Sequence, residues 1–195
     1  MTPTTPPRIL AFAGSTRTDS FNKKLARIAA EGARAAGAEV TLIDLRDYPL
    51  PLYDGDLESR EGLPENARKL KALFKSHDAL LISSPEYNSS ISGVLKNAID
   101  WVSREAPGEK PLECFSGKVA ALLSASPGAL GGLRGLVTVR SILSSIQVLV
   151  LPGQVAVSKA HEAFAPDGTL ADAKRKASVE QLAATLVETV RKLKS

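Results

Sequence analysis

A chain of 195 residues with 44% hydrophobic and 24% charged residues can bury one full-sized core without disulfides or metals. Its net charge of +4 and pI near 9.2 come from lysines and arginines spread along the chain, and groups such as Lys174-Arg175-Lys176 read as a solvated helix face, not a nucleic-acid surface. The single cysteine, Cys114, excludes an internal disulfide and a cysteine metal centre, and no run reaches the ~18 apolar residues of a membrane span.

The opening residues, MTPTTPP, lack the charged and apolar regions of a signal peptide, so residues 1–7 are expected to be a disordered leader on a cytoplasmic protein. From Arg8, "RILAFAG" is a short apolar run, as in a strand buried on both faces. Asn22 to about Ala36 has helical periodicity through Leu25, Ile28, Ala29 and Ala33, and Gly37 stops it. "VTLIDL" from Val40 is a second strand, followed by a long loop rich in Pro, Gly and Asp from Arg46. Pro64 opens a helix reaching about Ser76. "DALLISS" from Asp78 is a third strand, "SPEYNSSISG" a loop and "GVLKNAIDWVSRE" a helix. "KVAALLSAS" from Lys118 is a fourth strand, "PGALGG" a loop, Leu133 to about Ile146 a helix, and "VLVLPGQVAV" from Val148 a fifth strand. Ala171 to Leu193 is an amphipathic helix with Leu182, Leu186, Val190 and Leu193 along one stripe. His77, His161 and Cys114 read as structural or surface residues.

Strands and helices alternate, which predicts an α/β sandwich of three layers. Its centre is a five-stranded parallel sheet of flavodoxin-like order 2-1-3-4-5, with helices on both faces. Ligands of such sheets bind beyond the carboxyl ends of the strands at the switch point, where three loops converge here. In the first, "GSTRTDSFN", Gly14 permits close approach of backbone to ligand, and the following helix presents unpaired amides. Ser15, Thr16, Thr18 and Ser20 add hydroxyls and Arg17 a charged fork, together a site for a phosphate monoester. A plainer reading is a helix cap, but a cap needs one such residue. The loop is neither a Walker A loop nor the Gly-x-Gly-x-x-Gly fingerprint. In "SPEYNSS", Tyr87 offers a flat ring and Asn88 a donor and an acceptor, suited to the edge of a heteroaromatic ring; alone, the segment is equally a capped turn. "SASPGALGG" brings small residues against which a wide ligand can lie. Phosphate site and ring site together look like a mononucleotide site.

"GSTRTDSFNKKL" resembles the Gly-Ser-x-Arg-x-x-Ser-x-Asn-x-x-Leu motif of the NADPH-dependent FMN reductase family, and "SPEYNSSISGVLKNAIDW" resembles that family's Pro-Glu-Tyr-Asn…Gly-x-Leu-Lys-Asn-Ala-Ile-Asp-Trp segment. The family includes enzymes described as quinone, chromate and azo-dye reductases. The resemblance implies a single flavodoxin-like FMN-binding domain over residues 8–195 and FMN held without a covalent link. It places Ser15, Arg17, Ser20, Phe21 and Asn22 around the phosphate, and Pro85, Glu86, Tyr87 and Asn88 along the ribityl chain and ring. Ser124, Ser126 and Gly128 are expected near the flavin from the fourth-strand loop.

The activity so implied passes two electrons from NADPH or NADH through FMN to a quinone or similar small acceptor, with no catalytic side chain and no metal. Alternatives are a reductase that releases reduced flavin and a flavodoxin-like electron carrier, against which the basic pI argues. The loop around Leu52 and Tyr53 either borders the site or is a solvent-exposed crossover. Neither nucleic acid nor membrane is an expected partner. A homodimer or homotetramer is expected. The helix from Gly93 carries two apolar stripes, Leu95-Ile99-Val102 and Val94-Ala98-Trp101, one for the sheet and one for a neighbour. The helix from Leu133 to Ile146 is equally apolar, Ile142 included.

Overall fold

The computed structural model describes residues 5–194. The chain runs β1 (Arg8–Ala13), α1 (Phe21–Ala35), β2 (Glu39–Asp44), α2 (Gly55–Glu61) and α3 (Glu65–Ser76). It continues through β3 (Ala79–Ser83), β4 (Glu86–Tyr87), β5 (Ser90–Ile91), α4 (Gly93–Ser103) and β6 (Val119–Ala125). It closes with α5 (Leu133–Ser145), β7 (Leu149–Val157), α6 (Ala160–Ala163) and α7 (Ala173–Lys194). The main sheet has the order β2-β1-β3-β6-β7 with every pairing parallel, the predicted 2-1-3-4-5.

The strands pair in phase. Ile9 faces Val40 and Ala79, Ala79 faces Val119, and Val119 faces Leu149. Their carboxyl ends therefore emerge along one edge of the sheet, where the loops meet. Apart from the exposed Arg8, β1, β3 and β6 consist of small and apolar residues because helices cover both of their faces. One core layer packs α1 and α7 against Ile9, Ala11, Leu81, Ala121 and Leu123. The other packs α3, α4 and α5 against Leu10, Phe12, Leu80, Ile82 and Leu122.

Several elements differ from expectation. The loop from Arg46 contains α2, which Asp54 caps through Asp56 N at 2.8 Å and which buries no residue, so no apolar period marks it. "EYNSSI" is a hairpin, β4–β5, whose turn residues Asn88 and Ser89 have φ of 50° and 63°, the signature of a type I′ turn. The expected Asn-Gly pair is absent and each strand has two residues, so the pattern is faint in sequence. α1 starts at Phe21 because Ser20 is its N-cap, and α7 starts at Ala173, two residues later than expected. The buried stripe of α7 is Val179, Leu182, Ala183, Leu186, Val187 and Val190; Leu193, in the last turn, is 62% exposed and falls outside it.

His77 is buried with Nε2 2.8 Å from Thr41 Oγ1, His161 is exposed, and Cys114 is a buried packing residue. Of the expected leader, residues 1–4 lie outside the described ones, while Pro7 is buried and its carbonyl accepts Glu39 N at 2.9 Å. Among the described residues no helix is long and apolar enough to cross a membrane, and no group of His, Cys, Asp or Glu is placed to hold a metal.

The segment between α4 and β6 is held by one buried cation. Lys71 Nζ donates to Glu109 Oε2 at 2.7 Å, to Val102 O at 3.3 Å and to Arg104 O, so it ends α4 and anchors the segment behind it. Burial alone would raise the Glu109 carboxyl, but hydrogen bonds from Lys71 and Lys75 outweigh it and hold the group at about 2. A carboxyl depressed in the folded state contributes stability that is complete above its unfolded value and lost as pH falls from there towards 2. Lys71→Met is expected to cost about 3 kcal/mol at neutral pH and to flatten the acid limb of the stability curve. Thermal melts at pH 7 and pH 3 check this, and equal acid sensitivity of variant and wild type would contradict it.

Candidate functional site

The three loops at the carboxyl edge are sewn together by backbone and buried side chains. Gly14 N donates to Ser83 O at 2.9 Å, and Ser84 N to Leu123 O at 2.8 Å. Ser92 caps α4 by accepting from Leu95 N at 3.1 Å, and its hydroxyl donates to Gly14 O at 2.6 Å. Gly14 has no room for a side chain, because a Cβ there would stand 2.9 Å from Leu95 Cβ. Asn22 spans three elements. Its Oδ1 accepts from Ser83 Oγ at 2.9 Å and from Ala125 N at 3.0 Å, and its Nδ2 donates to Ala125 O at 2.8 Å.

These constraints leave a cleft of about 230 Å³. Nine of the twelve expected site residues line it: Ser15, Arg17, Ser20, Phe21 and Asn22 from the first loop, Pro85, Glu86 and Tyr87 from the second, and Ser126 from the third. Ala125 and Pro127 complete the wall. The other three do not line it. Asn88 stands at the exposed hairpin tip, and Gly128 lies in the exposed loop beyond Ser126, its carbonyl taken by Gly131 N and Lys159 N. Ser124 is fully buried; its hydroxyl, without a hydrogen-bond partner, lies against Gly132, where any Cβ would collide with it.

Within the cleft, polar groups divide into committed and free. Ser15 Oγ accepts from Arg17 N at 3.3 Å and Ser20 Oγ from Lys23 N at 3.4 Å, so each hydroxyl proton remains available to an outside acceptor. The Arg17 guanidinium makes no hydrogen bond or ion pair among the described residues. Asp19, beside it, is paired with Lys24 at 2.7 Å, and the hydrogen bond from Lys24 holds its carboxyl below the usual range. The Glu86 carboxylate is committed elsewhere: Oε1 accepts from Arg134 Nε at 3.0 Å and Oε2 from Gly135 N at 3.1 Å, in the first turn of α5. The Asn22 amide is largely committed to Ser83 and Ala125, and the Phe21 ring stacks on Phe164 at 5.7 Å. The end of the cleft at α1 thus offers free donors and one free cation, with its one lining carboxylate neutralised. That donor set fits a phosphate monoester.

The loop around Leu52 and Tyr53 turns away from this cleft. Pro51 O accepts from Trp101 Nε1 at 2.8 Å and Asn97 Nδ2 at 2.9 Å, Tyr53 N donates to Asn97 Oδ1 at 2.8 Å, and the Tyr53 ring meets Trp101 edge-on at 5.0 Å. Tyr48, Pro49 and Leu50 line a separate cavity of about 240 Å³, which Thr16 also borders. This overturns the assignment of the Val94-Ala98-Trp101 stripe to a neighbour, because the chain's own loop covers Trp101 and Ala98. Arg134, Asn97 and Arg46 were missed as builders of the site. Arg46 is the one with a sequence signal, an arginine just past the strand beside β1.

A profile of the NADPH-dependent FMN reductase family matches residues 7–162. A relative named NAD(P)H-dependent FMN reductase, from Pseudomonas aeruginosa, is 37% identical over 188 residues, covering 96% of this chain and 97% of its own. A quinone reductase of Escherichia coli is 35% identical over 144 residues, 74% of this chain and 73% of its own. Among solved structures, FerB, a flavoenzyme NAD(P)H:(acceptor) oxidoreductase from Paracoccus denitrificans, aligns with TM-score 0.80 at 28% identity over 95% of this chain and 98% of its own. An archaeal flavodoxin shares the fold at TM-score 0.58 and 11% identity, over 94% of this chain and 99% of its own. The fold defines a flavodoxin-like protein, with its cleft at the switch point of the sheet. The chain belongs to the NADPH-dependent FMN reductase family.

The Asn22 contacts make a direct prediction. Asn22→Ala strands Ser83 Oγ and Ala125 N without partners and is expected to destabilise the fold by about 2–4 kcal/mol. Urea denaturation of the two proteins checks it; unchanged stability would mean that the amide does not hold the loops.

Proposed function

We propose that the chain holds FMN without a covalent link in the cleft between Arg17, Tyr87 and Ser126, and acts as an NAD(P)H-dependent oxidoreductase towards a quinone or similar small acceptor. The observation that carries this reading is the free Arg17 guanidinium beside the free protons of Ser15 and Ser20, at the start of a helix of 15 residues. FMN, when bound, supplies the hydride and electron transfer, which no side chain here can perform.

The chain's residues bind and orient. Ser15, Ser20 and Arg17 donate to the phosphate. Phe21, braced by Phe164, closes that end, and Pro85, Glu86, Tyr87 and Ser126 form the walls on either side of the extended ligand. The exposed Tyr87 ring and the hairpin tip at Asn88 flank the open side, through which nicotinamide and acceptor would enter in turn. Ser124 acts indirectly in this reading, by supporting the tight Gly131-Gly132 turn. A cytoplasmic setting accords with the free, buried Cys114.

The purified protein should be yellow, release FMN on denaturation and be reduced by NADPH or NADH alone in anaerobic stopped-flow mixing. Reoxidation by benzoquinone then tests the acceptor class, and retention of FMN through dialysis separates a prosthetic group from a released product. A colourless protein that takes up no FMN would overturn the reading. Arg17→Ala should weaken FMN about tenfold to a hundredfold and riboflavin far less, since a charge-assisted contact is worth ~1.5–3 kcal/mol. Titration of both flavins by fluorescence quenching decides it; equal losses would place Arg17 away from the phosphate.

The same reading extends to assembly. With Trp101 covered, the apolar surface left near the cleft is Leu130, Leu133 and Val137, 51%, 41% and 64% exposed, at and within the start of α5. We place a two-fold homodimer contact on this face, with the cleft loops beside the seam. Val137→Arg should convert the dimer to monomer in light scattering, and a wild-type protein already monomeric at micromolar concentration would rule the contact out.

A further inference from the structure

We propose that Arg46, just beyond β2, is a positioning residue for the anion-binding loop: it grips Thr18 from the neighbouring strand and thereby raises the preference of the cleft for a phosphate monoester over the unphosphorylated flavin. The proposal rests on the FMN reading above and goes beyond it by adding a residue that lines no part of the cleft.

The geometry is a bridge of three segments. Arg46 Nη1 donates to Thr18 Oγ1 at 2.9 Å, and Nη2 donates to Asp44 Oδ2 at 3.3 Å. Asp44 is fixed in turn: its Oδ1 accepts from Arg46 N at 2.9 Å and its Oδ2 from Lys23 Nζ, on α1, at 2.6 Å. Burial opposes the charge on Asp44, yet the hydrogen bonds from Lys23 and Arg46 prevail and hold its carboxyl below the usual range. The anchor is therefore ionised at neutral pH and keeps its grip on Arg46.

The bridge meets the loop where it most lacks support. Residues 16–19 are exposed, and the Arg46 contact is the single side-chain hydrogen bond of Thr18 among the described residues. Thr18 directly follows Arg17, whose guanidinium must face the anion. Fixing Thr18 limits the conformations from which Arg17 has to be recruited, which lowers the ordering cost of binding. Charge acts in the same direction. Asp19 is paired with Lys24, and Lys23 and Arg46 share the carboxylate of Asp44, leaving the Arg17 guanidinium without an ion-pair partner among the described residues. A dianionic phosphate gains from that surplus and a neutral ribityl hydroxyl does not. Because the Arg46 side chain is 48% exposed, solvent screens it and the effect is moderate.

The test is titration of the full-length, flavin-free protein with FMN and with riboflavin, for wild type, Arg46→Gln, Thr18→Val and the double variant, each checked for folding by its melting temperature. Arg46→Gln and Thr18→Val should each weaken FMN by about threefold to tenfold and change riboflavin by less than about twofold. The double variant should be little worse than the weaker single, because both remove one contact. Equal weakening of both flavins, or unchanged FMN affinity in Arg46→Gln, overturns the proposal while leaving the FMN reading intact. Wild-type protein that binds neither flavin overturns both.

Discussion

The amide of Asn22 joins the start of α1 to the ends of β3 and β6 through Ser83 and through both backbone groups of Ala125. An amide in this setting, 4% exposed, is costly unless nearly all of its groups are matched, and here they are. The match is possible at one depth only: one turn deeper along α1 the side chain meets apolar sheet, and one turn later it meets solvent. Asn22 therefore sets how far α1 penetrates over the sheet edge. That depth decides where Ser20 caps the helix and where Ser15 and Arg17 stand relative to Pro85 and Ser126. The cleft exists because the helix stops where this amide can be satisfied.

The residues that carry the family resemblance divide between architecture and ligand. In the second motif, Ser92 caps α4 and holds Gly14, Leu95 fills the space beneath Gly14, and Asn97 and Trp101 bind the 49–53 loop. Glu86 stabilises the start of α5 and compensates Arg134. Ser92, Leu95 and Glu86 thus shape the cleft without offering it free donors, while Asn97 and Trp101 hold a loop that borders a separate cavity. In the first motif the same hydroxyls serve twice, accepting a backbone amide while keeping a proton for an outside acceptor. Capping and a free hydroxyl proton are thus compatible in Ser20, and in Ser15 the same holds for a turn, since each oxygen accepts a backbone amide and keeps its proton.

What was legible in sequence follows from length and pattern. β1, β3 and β6 are continuous apolar runs, and alternation with helical periods leads to the parallel order. The switch point then brings three loops together from topology alone, which is why nine of twelve residues fall on one cleft. The hidden parts depend on contacts that periodicity does not encode. α2 buries nothing, and β4–β5 has two residues in each strand. Trp101 reads as surface for a partner until Pro51 and Tyr53, some fifty residues earlier, are seen to cover it. Ser124 reads as a ligand contact until its burial behind Gly132 is known. The covering of Trp101 and the burial of Ser124 are settled by tertiary packing, while α2 and β4–β5 are too exposed or too short to leave a period.

The arrangement also explains how the cleft can be selective by charge and shape. Charge is concentrated at one end of the cleft, where Arg17 is unpaired and Asp19, Asp44 and Glu86 are each neutralised by a neighbour. The remaining walls, Pro85, Tyr87, Ala125 and Pro127, are of low polarity. On the proposed reading, an anionic head would be held at the Arg17 end and a flat body would lie along the other walls. Tyr87, on the wall of the cleft, and the hairpin tip at Asn88 are exposed. On the same reading, discrimination among acceptors would rest on the shape of the opening there, since those walls offer few polar groups to choose between them.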